Sequence, residues 1–210
     1  MGNVNHVFQG VSNFEISKIG EKQLEYLKKR FENIHLDKVY SSPLLRTQRT
    51  AQAIIGDKDI PLELLDGLIE LSFGVFEGKN VIEAFDSVDG IADIWNNRPQ
   101  DFVAPKGDSM RDAYQRIWEA LQYIIEENRG KTVACATHGG ILRCLLCRLL
   151  TNDINNLKDI PYSENTAVTL LEVSADQKIS VVFNNDFSHL PNQLKEKLST
   201  VSSFFKEESK

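Results

Sequence analysis

Cysteine is scarce in this chain: Cys135, Cys144 and Cys147 are the three thiols in 210 residues. Three cysteines give no disulfide framework. Cys144 and Cys147 have CxxC spacing, but they fall in a helical pattern with no second Cys or His pair nearby. A zinc site needs about four ligands, so metal is set aside. Reduced, partly buried thiols in a cytoplasmic protein are the better reading. Long apolar runs are also missing, and nothing approaches the ~20 residues of a membrane span. The start MGNVNHVFQG lacks the basic-then-apolar profile of a signal peptide. Gly2 lacks the Ser or Thr that myristoylation requires, because His6 stands there. Basic charge is in deficit, with 24 Lys and Arg against 30 Asp and Glu, a net −6. That argues against non-specific nucleic-acid binding as a main activity. An anionic ligand must then be held by a local group of arginines rather than by the overall field.

What is present is an ordinary globular composition, 41% hydrophobic and 26% charged, with helical and strand-like patterns in alternation. Residues 17–33 (SKIGEKQLEYLKKRFEN) space Ile19, Leu24, Leu27 and Phe31 as a helix. DKVYSS ends a short strand near Ser42, and Pro43 opens a helix through Ile55. Strand-like LELL leads to Leu68-Ile69-Glu70. Residues 80–98 are weakly helical with Trp95 as anchor, and 109–128 form a strong helix stopped by Gly130. KTVACATHGGILRCLL (131–146) reads as a buried strand, a Gly139-Gly140 turn and a helix from Ile141 to about Leu150. AVTLLEVS and ISVVFNN are two strands joined by ADQK. The last twenty residues read as a polar helix or tail. Strands separated by helices mean an α/β fold with a largely parallel sheet, in one domain over residues 1–190.

Three side chains stand out chemically. His138 ends a strand and precedes a helix N-terminus, where open α/β sheets place ligands and backbone N–H groups attract anions. A lone histidine is usually structural, and the context raises its standing. Arg143, one turn on, fits an anion site or a plain surface arginine. Arg46 lies in the first turn of its helix, where a cation opposes the dipole, so stability alone does not explain it; an anion beside it would. Glu70, between Ile69 and Leu71, is either a desolvated carboxyl suited to donating a proton or a glutamate on the outer face of an edge strand. Arg98 and Lys106 read as substrate contacts at best, and more simply as solvated charges.

Together YSSPLLRTQRTA (40–51), ELSFGVFEG (70–78), PKGDS (105–109) and THGGILR (137–143) resemble the histidine phosphatase, or phosphoglycerate mutase-like, superfamily. SENTAVTLLEV (163–173) and NNDFSHL (184–190) are similar to its closing strand and motif. The resemblance implies a three-layer α/β sandwich, a mostly parallel central sheet with helices on both faces. It implies phosphoryl transfer through a phosphohistidine, with no metal or other cofactor. By position, Asn3, Arg46 and His138 would bind phosphate, and Glu70 and His138 would serve catalysis. Gln9, Gly10 and Gly139 would sit in the loops around the substrate. The expected partner is a small phosphorylated metabolite, with neither nucleic acid nor membrane; a homodimer is left open. After Glu70, Leu-Ser-Phe-Gly looks more like the phosphatase branch than the mutases.

One departure matters. The family opens with R-H-G-x-T-x-x-N, and Asn3 aligns with that asparagine, so the acceptor histidine, its neighbouring arginine and the strand carrying them are absent here. His6, His35 and His189 are poor substitutes. Two expectations compete: an internal methionine has been taken as the start, or the chain is a naturally shortened, phosphoester-binding relative. Folding favours the first, since losing a central strand removes several apolar side chains worth ~1.5–3 kcal/mol each. Upstream in-frame codons are then expected to spell an apolar strand ending in Arg-His-Gly.

Overall fold

The computed structural model describes residues 7–195, so Asn3, His6 and the tail beyond 195 lie outside the described residues. Helix α1 (Lys18–Phe31) is capped by Ser17, whose hydroxyl accepts from the Gly20 N–H at 3.1 Å, and it buries Leu24, Leu27 and Phe31. Strand β1 (Lys38–Ser41) is central in a parallel sheet ordered β2-β1-β3, with β2 at Leu62–Leu64 and β3 at Val133–Ala136. Helix α2 (Leu45–Ile55) starts two residues after Pro43, so the proline precedes the helix rather than occupying its first turn. Two short helices follow, α3 (Val81–Asp86) and α4 (Ile91–Asn97), then α5 (Met110–Glu127) and α6 (Gly139–Thr151). Strands β4 (Val168–Val173) and β5 (Ile179–Asp186) pair antiparallel. Of the expected C-terminal helix or tail, the described residues contain a 3-10 turn, Asn192–Leu194.

Adjacent residues of β1 show why helices cover both faces. Side chains alternate across a strand. Val39 packs with Leu24, Leu27, Ala51 and Ile54 from α1 and α2. Tyr40 packs on the other side with Ala113, Ile117, Ile141 and Cys144 from α5 and α6. Both β1 residues are fully buried. The Tyr40 hydroxyl accepts from Asn128 Nδ2 at 2.9 Å, so its burial leaves no polar atom unmatched. Beside this core, Phe8, Phe73, Phe76, Phe85, Trp95 and Phe102 form an aromatic cluster, with Phe8 and Phe73 centroids 4.6 Å apart and Trp95 and Phe102 4.8 Å apart. Each fully buried ring contributes about 1.5–3 kcal/mol. The cluster ties the N-terminal loop to the segment that carries Glu70.

The described strands form two separate ladders. Among the described residues β3 pairs with β1 alone, and β4 with β5 alone. Ala134 of β3 and Val168 of β4 nevertheless pack on the same apolar cluster. Cys135 of β3 reaches solvent, contrary to the expected burial, while protein crowds it enough to push its thiol up to about 12. Leu170, Val173, Val182 and Phe183 of the hairpin are also exposed.

Candidate active site

Ser42, just past β1, and His138, just past β3, meet because their strands are neighbours in a parallel register, with Ser41 opposite Ala136. His138 Nε2 lies 2.8 Å from Ser42 Oγ. Arg46, in the first turn of α2, donates from Nε to His138 Nδ1 at 3.1 Å. A guanidinium has no acceptor, so Nδ1 must be bare and the ring proton sits on Nε2, facing Ser42. The ring is therefore neutral. Burial pushes its pKa well below the usual histidine range, and the Arg46 and Arg116 charges push the same way.

Arg46 does more than hold the imidazole. Its Nη1 donates to Ser12 O at 3.0 Å and its Nη2 to Gly10 O at 2.7 Å, which draws the loop after Phe8 over the site. Burial opposes its charge, and Glu70 and Glu77 nearby offset part of that. Glu77 anchors the same loop: its carboxylate accepts from the Val11 N–H, the Ser12 hydroxyl and the Phe73 N–H. Gly10, at φ +46, lies so close to Glu77 that a Cβ would collide with it.

Glu70 follows a 3-10 turn (Asp66–Leu68) and lies on no strand, which removes the edge-strand alternative. Its Oε1 accepts from the Leu71 N–H at 3.0 Å and its Oε2 from the Gly140 N–H at 3.1 Å. Crowding by protein raises its pKa; those amides and the Arg46 charge pull back only in part. The result is a carboxyl biased toward its protonated form, beside a cation and a neutral imidazole. Gly140 is required here by contact, since a Cβ would sit 2.7 Å from Glu70 Oε1. Among the described residues no group of three or more His, Cys, Asp or Glu is placed to hold a metal.

The sequence profile of the histidine phosphatase superfamily (branch 1) matches residues 1–186. The chain belongs to that superfamily. It is 29% identical over 148 residues to phosphoserine phosphatase 1 of Hydrogenobacter thermophilus, covering 70% of each. It is also 29% identical to a 2,3-bisphosphoglycerate-dependent phosphoglycerate mutase of Bartonella quintana, covering 85% of this chain and 89% of that one. The solved structure of Bacillus stearothermophilus YhfR superposes with a TM-score of 0.84 at 31% identity, over 90% of this chain and 93% of that one.

Within this histidine phosphatase fold, Arg46 bonds to His138, Glu70 bonds to the first turn of the helix after His138, and Gly10 bonds to Arg46 through its carbonyl. Gln9 lies in the same loop, its carbonyl accepting from the Ser12 N–H. Gly139 is not part of a turn: α6 begins there, with His138 as its N-cap residue. Arg143 is no anion ligand and no surface arginine. It is buried, donates to Ile160 O and Leu157 O at 2.7 Å each, and lies over the Tyr162 ring. Arg98 pairs with Asp93 on the exposed surface, and Lys106 is likewise exposed. Sequence reading missed Ser42 as the partner of His138, Glu77 as anchor of the loop, and Arg116. Glu77 stood in a quoted motif, and its signal was a charged residue between glycine and phenylalanine.

Proposed function

We propose that this protein is a histidine-type phosphomonoesterase for small phosphate esters. What supports the reading is one arrangement: a half-buried guanidinium and a neutral imidazole beside a carboxyl held toward its acid form. Arg46 and His138 would hold the non-bridging oxygens of a phosphoryl group. In the first step the phosphorus–oxygen bond of the ester breaks as a nitrogen–phosphorus bond forms on an acceptor imidazole. Glu70 gives its proton to the leaving oxygen. In the second, Glu70 takes a proton from water, whose oxygen attacks phosphorus as the nitrogen–phosphorus bond breaks. The reaction is expected to run without metal.

The acceptor imidazole is proposed to lie outside these 210 residues. His138 has both ring nitrogens engaged, by Arg46 and Ser42. His189 is held by Arg30 through Nδ1 at 3.1 Å, His35 is exposed beside Asp37, and His6 lies outside the described residues. Among the described residues the outer edges of β3 and β4 have no partner strand, and the proposed strand would pair there. The same engagement of His138 favours a second reading, a relative that binds phosphoesters without turning them over. The test is release of inorganic phosphate from p-nitrophenyl phosphate by the native protein, with chelator and no bisphosphoglycerate primer. Turnover with a base-stable, acid-labile phosphoryl adduct on the protein is expected. Primer-dependent isomerisation with little free phosphate would indicate a mutase, and binding without turnover the second reading.

A further inference from the structure

The segment Asp66–Ser72 carries Glu70 past the sheet without strand partners of its own. Backbone outside a ladder must be held by other groups. Here the holder is Arg116 of α5, whose Nη1 donates to Ile69 O at 2.6 Å and reaches Asp66 O at 3.4 Å. Its Nη2 lies 3.5 Å from Glu70 O and 3.4 Å from Asp108 Oδ2. Asp108 completes the grip, accepting from the Ser72 N–H at 3.0 Å while its own N–H donates to Ser72 O at 2.9 Å. The backbone is thus fixed on both sides of Glu70.

Resting on the function proposed above, we infer that Arg116 and Asp108 are positioning residues for the Glu70 carboxyl, keeping it lodged against Gly140 and aimed into the site. A crowded carboxyl gains by swinging back to water, so only a fixed backbone keeps it in place. The planar guanidinium spans several carbonyls at once, which an ammonium does not. The groups facing Glu70 are Arg46 from α2, whose charge favours ionisation, and Cys144 of α6 and Tyr162, which feel the carboxylate.

Two variants, Arg116→Lys and Asp108→Asn, test this, with Arg111→Ala as control; Arg111 is on the same helix but pairs with Asp101 at the exposed surface. The Leu71 and Gly140 amides bond to the carboxyl, so their NMR shifts report its ionisation without any turnover. In Arg116→Lys, which keeps the positive charge, the midpoint is expected to fall toward the ordinary carboxylate range, and in the control to stay put; in Asp108→Asn the lost negative charge favours the same fall, so that variant is read by the split between the two esters below. An unmoved midpoint overturns the inference. So does a raised one. In turnover, Arg116→Lys is expected to lose about 10- to 100-fold in kcat on glycerol phosphate, whose basic leaving oxygen needs the proton. KM should stay within about twofold, and p-nitrophenyl phosphate should be nearly unaffected, since its leaving group needs little help. Equal losses on both esters would show a merely structural role. If the wild-type protein hydrolyses neither ester, the proposed function fails while the amide titration still decides the positioning claim.

Discussion

Replacing Arg46 by alanine is expected to weaken inorganic phosphate binding and lower phosphomonoesterase turnover by about 100- to 1000-fold, the usual loss for one donor to a developing anion in a dry site. The large effect follows from the three directions of its fork. Nε holds His138, while Nη1 and Nη2 hold the carbonyls of Ser12 and Gly10. The alanine variant loses the cation, the orientation of the imidazole and the closure of the loop together. Arg46→Lys should recover little, because one ammonium cannot span three diverging acceptors. Calorimetric phosphate titration alongside initial rates checks this. Phosphate affinity unchanged in the alanine variant would remove Arg46 from the site.

Glu70→Gln is expected to cost about 100- to 10,000-fold in kcat on alkyl phosphates, the span of general acid–base contributions, and much less on p-nitrophenyl phosphate. The same variant should be more stable than wild type at neutral and alkaline pH. The folded-state pKa of Glu70 is raised. Its contribution to stability is therefore present below the ordinary carboxylate pKa and is lost as pH rises through the folded value. A glutamine escapes that loss. His138 runs the opposite way: its pKa is depressed, so its contribution is present above the ordinary histidine pKa and is lost as pH falls toward the folded value. Thermal unfolding against pH should show both dependences in wild type, and in Glu70→Gln only the loss on acidification that His138 causes. A loss of stability with rising pH that persists in the variant would show that another group causes it.

Much of the fold could be read from periodicity. The spacing of Leu24, Leu27 and Phe31 gave α1, and VACA followed by a helical run gave β3 and α6, because one face of each element is apolar. The convergence of positions 46, 70 and 138 came from motifs whose order the parallel sheet brings together at one end. What was not legible depends on long-range contact. Arg143 has the sequence signature of an exposed arginine, yet it is buried on carbonyls 14 and 17 positions away. Arg116 sits on a polar stretch of α5, and nothing local shows that the carbonyls it grips lie 46 to 50 positions earlier. The start of α6 at Gly139 rather than Ile141 was missed because glycine is a poor helix former; here Gly140 is fixed by its approach to Glu70. Exposure of Cys135 was hidden too, since an apolar run does not show which of its side chains the packed helices leave uncovered.

A crystal structure with orthovanadate, a stand-in for the transferring phosphoryl group, tests the central claim most directly. Its oxygens are expected within hydrogen-bond distance of the Arg46 guanidinium and the His138 ring, with the Glu70 carboxyl on the side of one apical oxygen. Vanadate lodged elsewhere, with those three side chains turned away from it, would contradict the account.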